Sequence, residues 1–186
     1  MNVLHLGNPL LREKSLPVEQ VTDEIRQLAE DMFVLMEQEN GVGLAAPQIG
    51  KLIRMFVLTA DDEVKRVFIN PQIIKTSTET CEYEEGCLSI PQMYETIVRP
   101  EKVTVQALNE QGKVFTLEAE GLLARIIQHE YDHLDGILYI DRGDPVIKEK
   151  TEETFKRREQ RRQLKEAEKA LKAAKKMAKM AKVQKK

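Results

Sequence analysis

The chain has only two cysteines, Cys81 and Cys87, and only three histidines in 186 residues. Two cysteines cannot build the disulfide framework of a small secreted scaffold. No run of eighteen consecutive apolar residues occurs, so no segment reads as a membrane-spanning helix. The opening Met1-Asn2-Val3-Leu4-His5-Leu6 lacks the basic stretch and long apolar core of a secretory signal, and a cytoplasmic protein with no membrane partner is expected. The glycine-containing stretch from Gly41 to Gly50 has neither G-x-G-x-x-G spacing nor a P-loop lysine, which argues against a phosphate cradle. There is no internal repeat. Strand patterns do not alternate regularly with helix patterns, so a parallel β-α-β sheet is not expected.

What is present is unevenly charged. Residues 148–186 hold 16 Lys/Arg against 6 Glu, a net of +10, while the first 147 residues carry −12. An acidic body (1–147) and a basic extension (148–186) are two parts facing different partners. Asp144-Pro145 marks the boundary. From Glu152 onward there is no Gly or Pro, and helix-forming residues dominate. Leu164, Ala167, Leu171, Ala174, Ala178 and Ala181 trace a narrow apolar stripe, and lysines fill much of the remaining surface.

The body is organised around Gln128-His129-Glu130-Tyr131-Asp132-His133, an H-E-x-x-H segment. Leu122, Leu123, Ile126, Ile127 and Leu134 recur at helical spacing, and Gly136 supplies a stop. On that helix His129 and His133 share a face, about 5–6 Å apart at Cβ. Two imidazoles so placed can grip one metal ion, with Glu130 in reach of a metal-activated water. The bland alternative is a helix that carries two histidines for packing. With only three histidines in the chain, their meeting around a glutamate disfavours it. The third, His5, reads as a packing or surface residue.

Around this helix, residues 3–18 read as an extended arm with turns. Thr22 caps a helix with Asp23 and Glu24 in its first turn and Ile25, Leu28, Met32, Leu35 and Met36 on its apolar face, ending at Asn40-Gly41. Ile53–Leu58 and Val67–Ile69 read as strands, and Val103–Leu108 with Val114–Leu117 as a hairpin. The fold class is α+β: mid-chain strands packed around a central metal-binding helix, an N-terminal helix, and a C-terminal basic helix. Between the strands, Gly86 relaxes the backbone where Cys87 presents a soft ligand. A catalytic metal site needs a third protein ligand and a remaining position for water, which raises the interest of Cys87 above that of a buried small residue. Cys81 lies outside this glycine-bounded turn and reads as structural. Gln48 is the one polar side chain in its stretch of small residues; composition alone favours a loop there.

Taken together, Gly43-Leu44-Ala45-Ala46-Pro47-Gln48, Glu85-Gly86-Cys87-Leu88-Ser89 and Gln128–His133 resemble, in order and spacing, the three signature motifs of peptide deformylases. Leu11, Arg12, Pro17 and Val18 resemble that family's N-terminal arm, so the resemblance covers roughly residues 1–147. It implies removal of the formyl group from the formyl-methionine of nascent proteins. It also implies a divalent ion, natively Fe²⁺ (Ni²⁺, Co²⁺ or Zn²⁺ in a prepared sample), held by Cys87, His129 and His133. Glu130 would be the general acid/base acting with metal-bound hydroxide, and Gln48 and the backbone N–H of Leu88 would hold the formyl oxygen. Val42, Gly43 and Gly86 would line the peptide site, with Leu122 and Ile126 forming the wall of the methionine pocket. Arg125 departs from the resemblance, because the family more often has an apolar residue there; either it restricts the pocket or its charged end turns to solvent. The basic helix reads as a solvated spacer, a weak coiled-coil partner or a polyanion-binding rod. Deformylases of this general type dock on the ribosome by a C-terminal helix, which favours ribosomal RNA as its partner, and a monomer is expected. Two other readings stand beside this one. A zincin-like metallopeptidase would need a downstream third ligand, for which Glu149, Glu152 and Glu153 are the acidic candidates. A ribosome- or RNA-binding protein with a relict metal site would need no catalytic glutamate.

Overall fold

A computed structural model of the chain describes the backbone of residues 1–183, and side chains through 169 with 171 and 172. Its first helix, α1 (Asp23–Gln38), begins where Thr22 holds extended backbone, although the Thr22 hydroxyl makes no capping bond to a backbone N–H. It stops at Asn40, whose φ of 56° turns the chain left-handed, and the Gly41 N–H then returns to the Met36 carbonyl at 2.8 Å.

Seven strands follow: β1 (Gly43–Ala45), β2 (Met55–Thr59), β3 (Lys65–Thr76), β4 (Thr80–Cys87), β5 (Ile90–Pro100), β6 (Lys102–Leu108) and β7 (Val114–Glu120). Five form an antiparallel sheet in the order β1-β2-β3-β6-β7; β4 and β5 form a separate hairpin. Met55-Phe56-Val57-Leu58 is apolar without alternation because both faces of the sheet are covered. Met55 and Val57 pack with Met32, Phe33 and Met36 of α1. Phe56 and Leu58 face the other way, onto Ala124 and Ile127 of α2 (Gly121–Leu134). Phe56 and Phe68 stack there at 4.7 Å. The other side of α2 meets the β4–β5 hairpin, so this helix lies between two sheets.

Two strand assignments change. Pro71 does not end the strand after Ile69: β3 continues to Thr76 through a register shift, with Asn70 at φ 51°. A bulge is where a strand tolerates proline. The Asn70 amide uses this turn to bind both the N–H and the carbonyl of Val18 at 2.8 Å. Residues 84–91 are not simply a turn between strands either. They are the ends of β4 and β5 and the tight connection joining them, so Cys87 closes a strand.

The N-terminal arm is held by backbone bonds to three separated segments. Leu4 N–H reaches the Gln48 carbonyl at 2.7 Å, Leu6 N–H the Ser89 carbonyl at 2.8 Å, and Ser15 N–H the Leu134 carbonyl at 2.9 Å. The third helix, α3 (Pro145–Val183), begins at the end of the body. Met1–Lys148 and Glu149–Lys186 form two compact units. In the second, Arg157–Glu153 and Arg162–Glu159 pair along the helix, and Leu164 and Leu171 are exposed. Ala174, Ala178 and Ala181 of the expected stripe lie outside the residues whose side chains are described. Among the described residues, no helix is long and apolar enough to cross a membrane.

Candidate metal centre

The helical spacing of α2 does what the sequence requires of it: the His129 and His133 rings lie 5.1 Å apart, edge to face. The helix ends at Leu134, and just past its cap Gly136 turns the chain at φ 72°, where a Cβ would strike the Arg12 backbone, with its carbonyl carbon 2.6 Å away. Only glycine fits this stop. Across the interface, β4 delivers Cys87, whose Sγ lies 3.4 Å from His133 Nε2. Among the described residues, Cys87, His129 and His133 make up the one group of potential ligands whose donor atoms converge, all within 4.8 Å of one another.

His129 Nδ1 donates to Glu85 Oε2 at 2.8 Å, leaving Nε2 for the centre. A carboxylate behind a ligating imidazole fixes its tautomer and orientation. Burial works against a charge on His129, yet its hydrogen bonds with Cys87 and Glu85 carry the ring well above its ordinary range. Burial instead drives His133 well below it. One soft sulfur and two imidazoles converging beside an anion fit a divalent transition metal.

Glu130 is only 4% exposed, and its Oε2 has no hydrogen-bond partner among the described residues. Burial pushes its carboxyl up to about 7. Gly43 makes room for it: a Cβ there would collide with Glu130 Oε1 and come within 2.9 Å of Ile126 Cγ2. Gln48, 1% exposed, lies in the 3₁₀ turn Ala46–Ile49. Its Oε1 accepts the Ala45 N–H at 2.8 Å, which aims the amide nitrogen at Cys87 Sγ (3.4 Å) and Ser89 Oγ (3.2 Å). These groups open onto a cleft of about 560 Å³ lined also by Val42, Gly43, Gly86, Leu88, Leu122 and Ile126. The sequence-derived residues thus share one cleft, with His133 behind its wall. His5, read as a packing or surface residue, lines the same cleft.

The sequence did not reveal the ionic frame behind the ligands. Arg99, assigned no role from sequence, donates to both oxygens of Glu85 at 2.6 and 3.0 Å and to Asp132 at 2.7 Å. Asp132 also takes a two-point contact from Arg142. Burial alone would raise the Glu85 carboxyl; the hydrogen bonds from His129 and Arg99 outweigh it and hold the group well below the usual carboxylate range. Arg125 does not turn its charged end to solvent. It is 4% exposed, with its guanidinium on Glu85 and on the carbonyls of Ile97 and Cys81. The Cys81 sulfur lies 3.2 Å from the same guanidinium. A zincin reading asks for a third ligand downstream of His133; among the described residues the third converging donor is instead the Cys87 sulfur, from upstream.

Comparison with known proteins agrees with this geometry. Residues 1–150 match the polypeptide deformylase family model. The peptide deformylase of Treponema pallidum (strain Nichols) is 52% identical over 144 residues, 77% of this chain and 88% of that protein. The crystal structure of a peptide deformylase from Legionella pneumophila, 42% identical, superposes with a TM-score of 0.78 over 86% of this chain and 97% of that one. One from Synechococcus elongatus, solved in complex with actinonin and 38% identical, gives 0.78 over 83% and 85%. On its motifs, its three-donor centre and these relatives, the chain belongs to the polypeptide deformylase family.

Proposed function

We propose that this chain hydrolyses the formamide of N-formylmethionyl peptides, with Cys87, His129 and His133 as metal ligands. The observation that carries the reading is the meeting, in one cleft, of three converging donors, an unpartnered buried carboxylate and an anchored amide. A divalent ion held there supplies Lewis acidity, lowering the pKa of a water toward about 7. Glu130 takes the proton of the attacking water and passes it to the leaving amine. Its raised pKa suits both halves of that task. Gln48 Nε2 and the Leu88 N–H hold the formyl oxygen as negative charge develops on it. Val42, Gly43 and Gly86 border the peptide backbone, and Leu122 and Ile126 offer an apolar wall to the methionine side chain.

Formate release from a formyl-Met tripeptide, measured anaerobically with Fe²⁺, tests the reading. Turnover blocked by actinonin is expected. Cleavage at an internal peptide bond instead would point to a zincin-like peptidase, and metal binding without turnover to a relict site. Gln48→Ala should lower kcat by about a hundredfold or more, as loss of an oxyanion donor does; an effect confined to KM would remove Gln48 from that role. One thiolate and two neutral imidazoles leave a divalent ion a net charge of +1, and sulfur favours soft metals and invites oxidation. Fe²⁺ is the proposed native ion on the family resemblance, and this donor set accommodates it. Activity should be higher with Fe²⁺ or Ni²⁺ than with Zn²⁺ and should decay in air; equal, air-stable Zn²⁺ activity would contradict this.

For the basic extension, the proposed partner is ribosomal RNA beside emerging nascent chains, in the cytoplasm, with the enzyme acting as a monomer. Support comes from its net charge of +10 and the exposure of Leu164 and Leu171. Polyanion binding of this kind weakens steeply with salt. Removing residues 151–186 should spare hydrolysis of small formyl peptides and abolish salt-sensitive sedimentation with ribosomes; undiminished sedimentation at equal salt would assign the tail elsewhere.

A further inference from the structure

The geometry points to Arg125 as a positioning residue for the metal centre: anchored on the β4–β5 hairpin, it sets the rotation of the Glu85 carboxylate and thereby the aim of His129. This rests on the reading that Cys87, His129 and His133 hold the ion.

Arg125 stands four residues before His129, on the same face of α2. Between the two, Glu85 reaches across from β4. Its Oε1 accepts from Arg125 Nη1 at 2.9 Å and from Arg99 Nε at 2.6 Å; its Oε2 accepts from His129 Nδ1 at 2.8 Å and from Arg99 Nη2 at 3.0 Å. Each oxygen therefore has two donors. Without Arg125, Oε1 would keep one, and the carboxylate could pivot on the Arg99 fork, swinging Oε2 away from the His129 ring.

The arginine is itself immobilised. Nη1 also donates to the Ile97 carbonyl at 3.0 Å, and Nη2 donates to the Cys81 carbonyl at 2.8 Å and lies 3.2 Å from its sulfur. The Tyr83 ring lies 5.7 Å from the guanidinium carbon. Cys81, Tyr83 and Glu85 alternate along β4, so one strand face supplies the anchor, the cover and the target.

Charge balance singles it out further. Arg99 divides itself between Glu85 and Asp132, and Asp132 also has Arg142. Among the ion pairs of the described residues, Arg125 serves Glu85 alone. Burying a guanidinium is costly, and an apolar side chain would pack this position more cheaply. Its presence is explained by the anion it holds still, and through that anion by the imidazole behind the metal.

The test uses full-length protein stripped of metal and titrated with Co²⁺ under anaerobic conditions at one pH. Wild type should show thiolate-to-cobalt charge transfer and visible d–d bands. Arg125→Met should bind Co²⁺ about tenfold more weakly with shifted d–d bands, the size of loss typical when support behind a ligand is removed. Arg125→Lys, able to touch Glu85 but not the hairpin carbonyls as well, should lie between, about threefold weaker. In the loaded enzymes kcat should fall in the same order while KM changes little. A Met variant with wild-type affinity and bands would overturn the positioning role and leave the ligand assignment standing. If the Met variant does not fold, a Lys variant indistinguishable from wild type overturns it equally. Absence of the charge-transfer band in wild type would instead sink the ligand assignment itself.

Discussion

Glu130→Gln should reduce kcat/KM for formyl-Met peptides by a factor of about 10² to 10⁴, the usual contribution of a positioned acid/base, while leaving metal content unchanged. The substitution is nearly isosteric in a site that is 4% exposed, so the fold has no reason to fail. The amide can neither take the proton from water nor return it to the amine. Paired measurements of bound metal and formate release settle the matter. A variant that keeps its ion and works within threefold of wild type would show that the proton travels by another group.

The second large effect falls on stability. Arg99 is 3% exposed and, among the described residues, is the one side chain that bridges Glu85 and Asp132, so Arg99→Met strips a donor from both carboxylates at once. Removing one partner from a buried ionic frame costs about 3–5 kcal/mol because the remaining charges stay desolvated. For a body of this size that corresponds to a fall in Tm of about 10 °C. Urea denaturation would measure it directly. A loss below about 1 kcal/mol would mean that the neighbouring arginines, Arg125 and Arg142, compensate fully.

The local periodicities were easy to read and the long-range pairings were not. α1 and α2 announced themselves through apolar spacing, acidic first turns or glycine stops, all encoded within a few residues. So did the three segments that build the centre, because their chemistry is concentrated in short runs. The β4–β5 hairpin stayed hidden. Its buried positions include Glu85 on β4 and Glu95, Ile97 and Arg99 on β5, so charge interrupts any apolar alternation. The ionic frame was equally hidden: Glu85 finds Arg99 fourteen residues away and Arg125 forty away, and Arg99 finds Asp132 thirty-three away. Nothing in local composition distinguishes these arginines from surface ones. Gln48 shows the middle case. Its neighbours suggested a plain loop, and only the 3₁₀ turn, with its side-chain bond to the Ala45 N–H, explains why its amide is held rigid.

The backbone ties of Leu4, Leu6 and Ser15 have a practical consequence. Those few bonds lace together the glutamine turn, the hairpin tip and the tail of α2, pieces far apart along the polymer. A bulky affinity tag or a proteolytic nick ahead of residue 7 would slacken that lacing without touching a reacting atom. Preparations differing only at their leading edge should then differ in turnover.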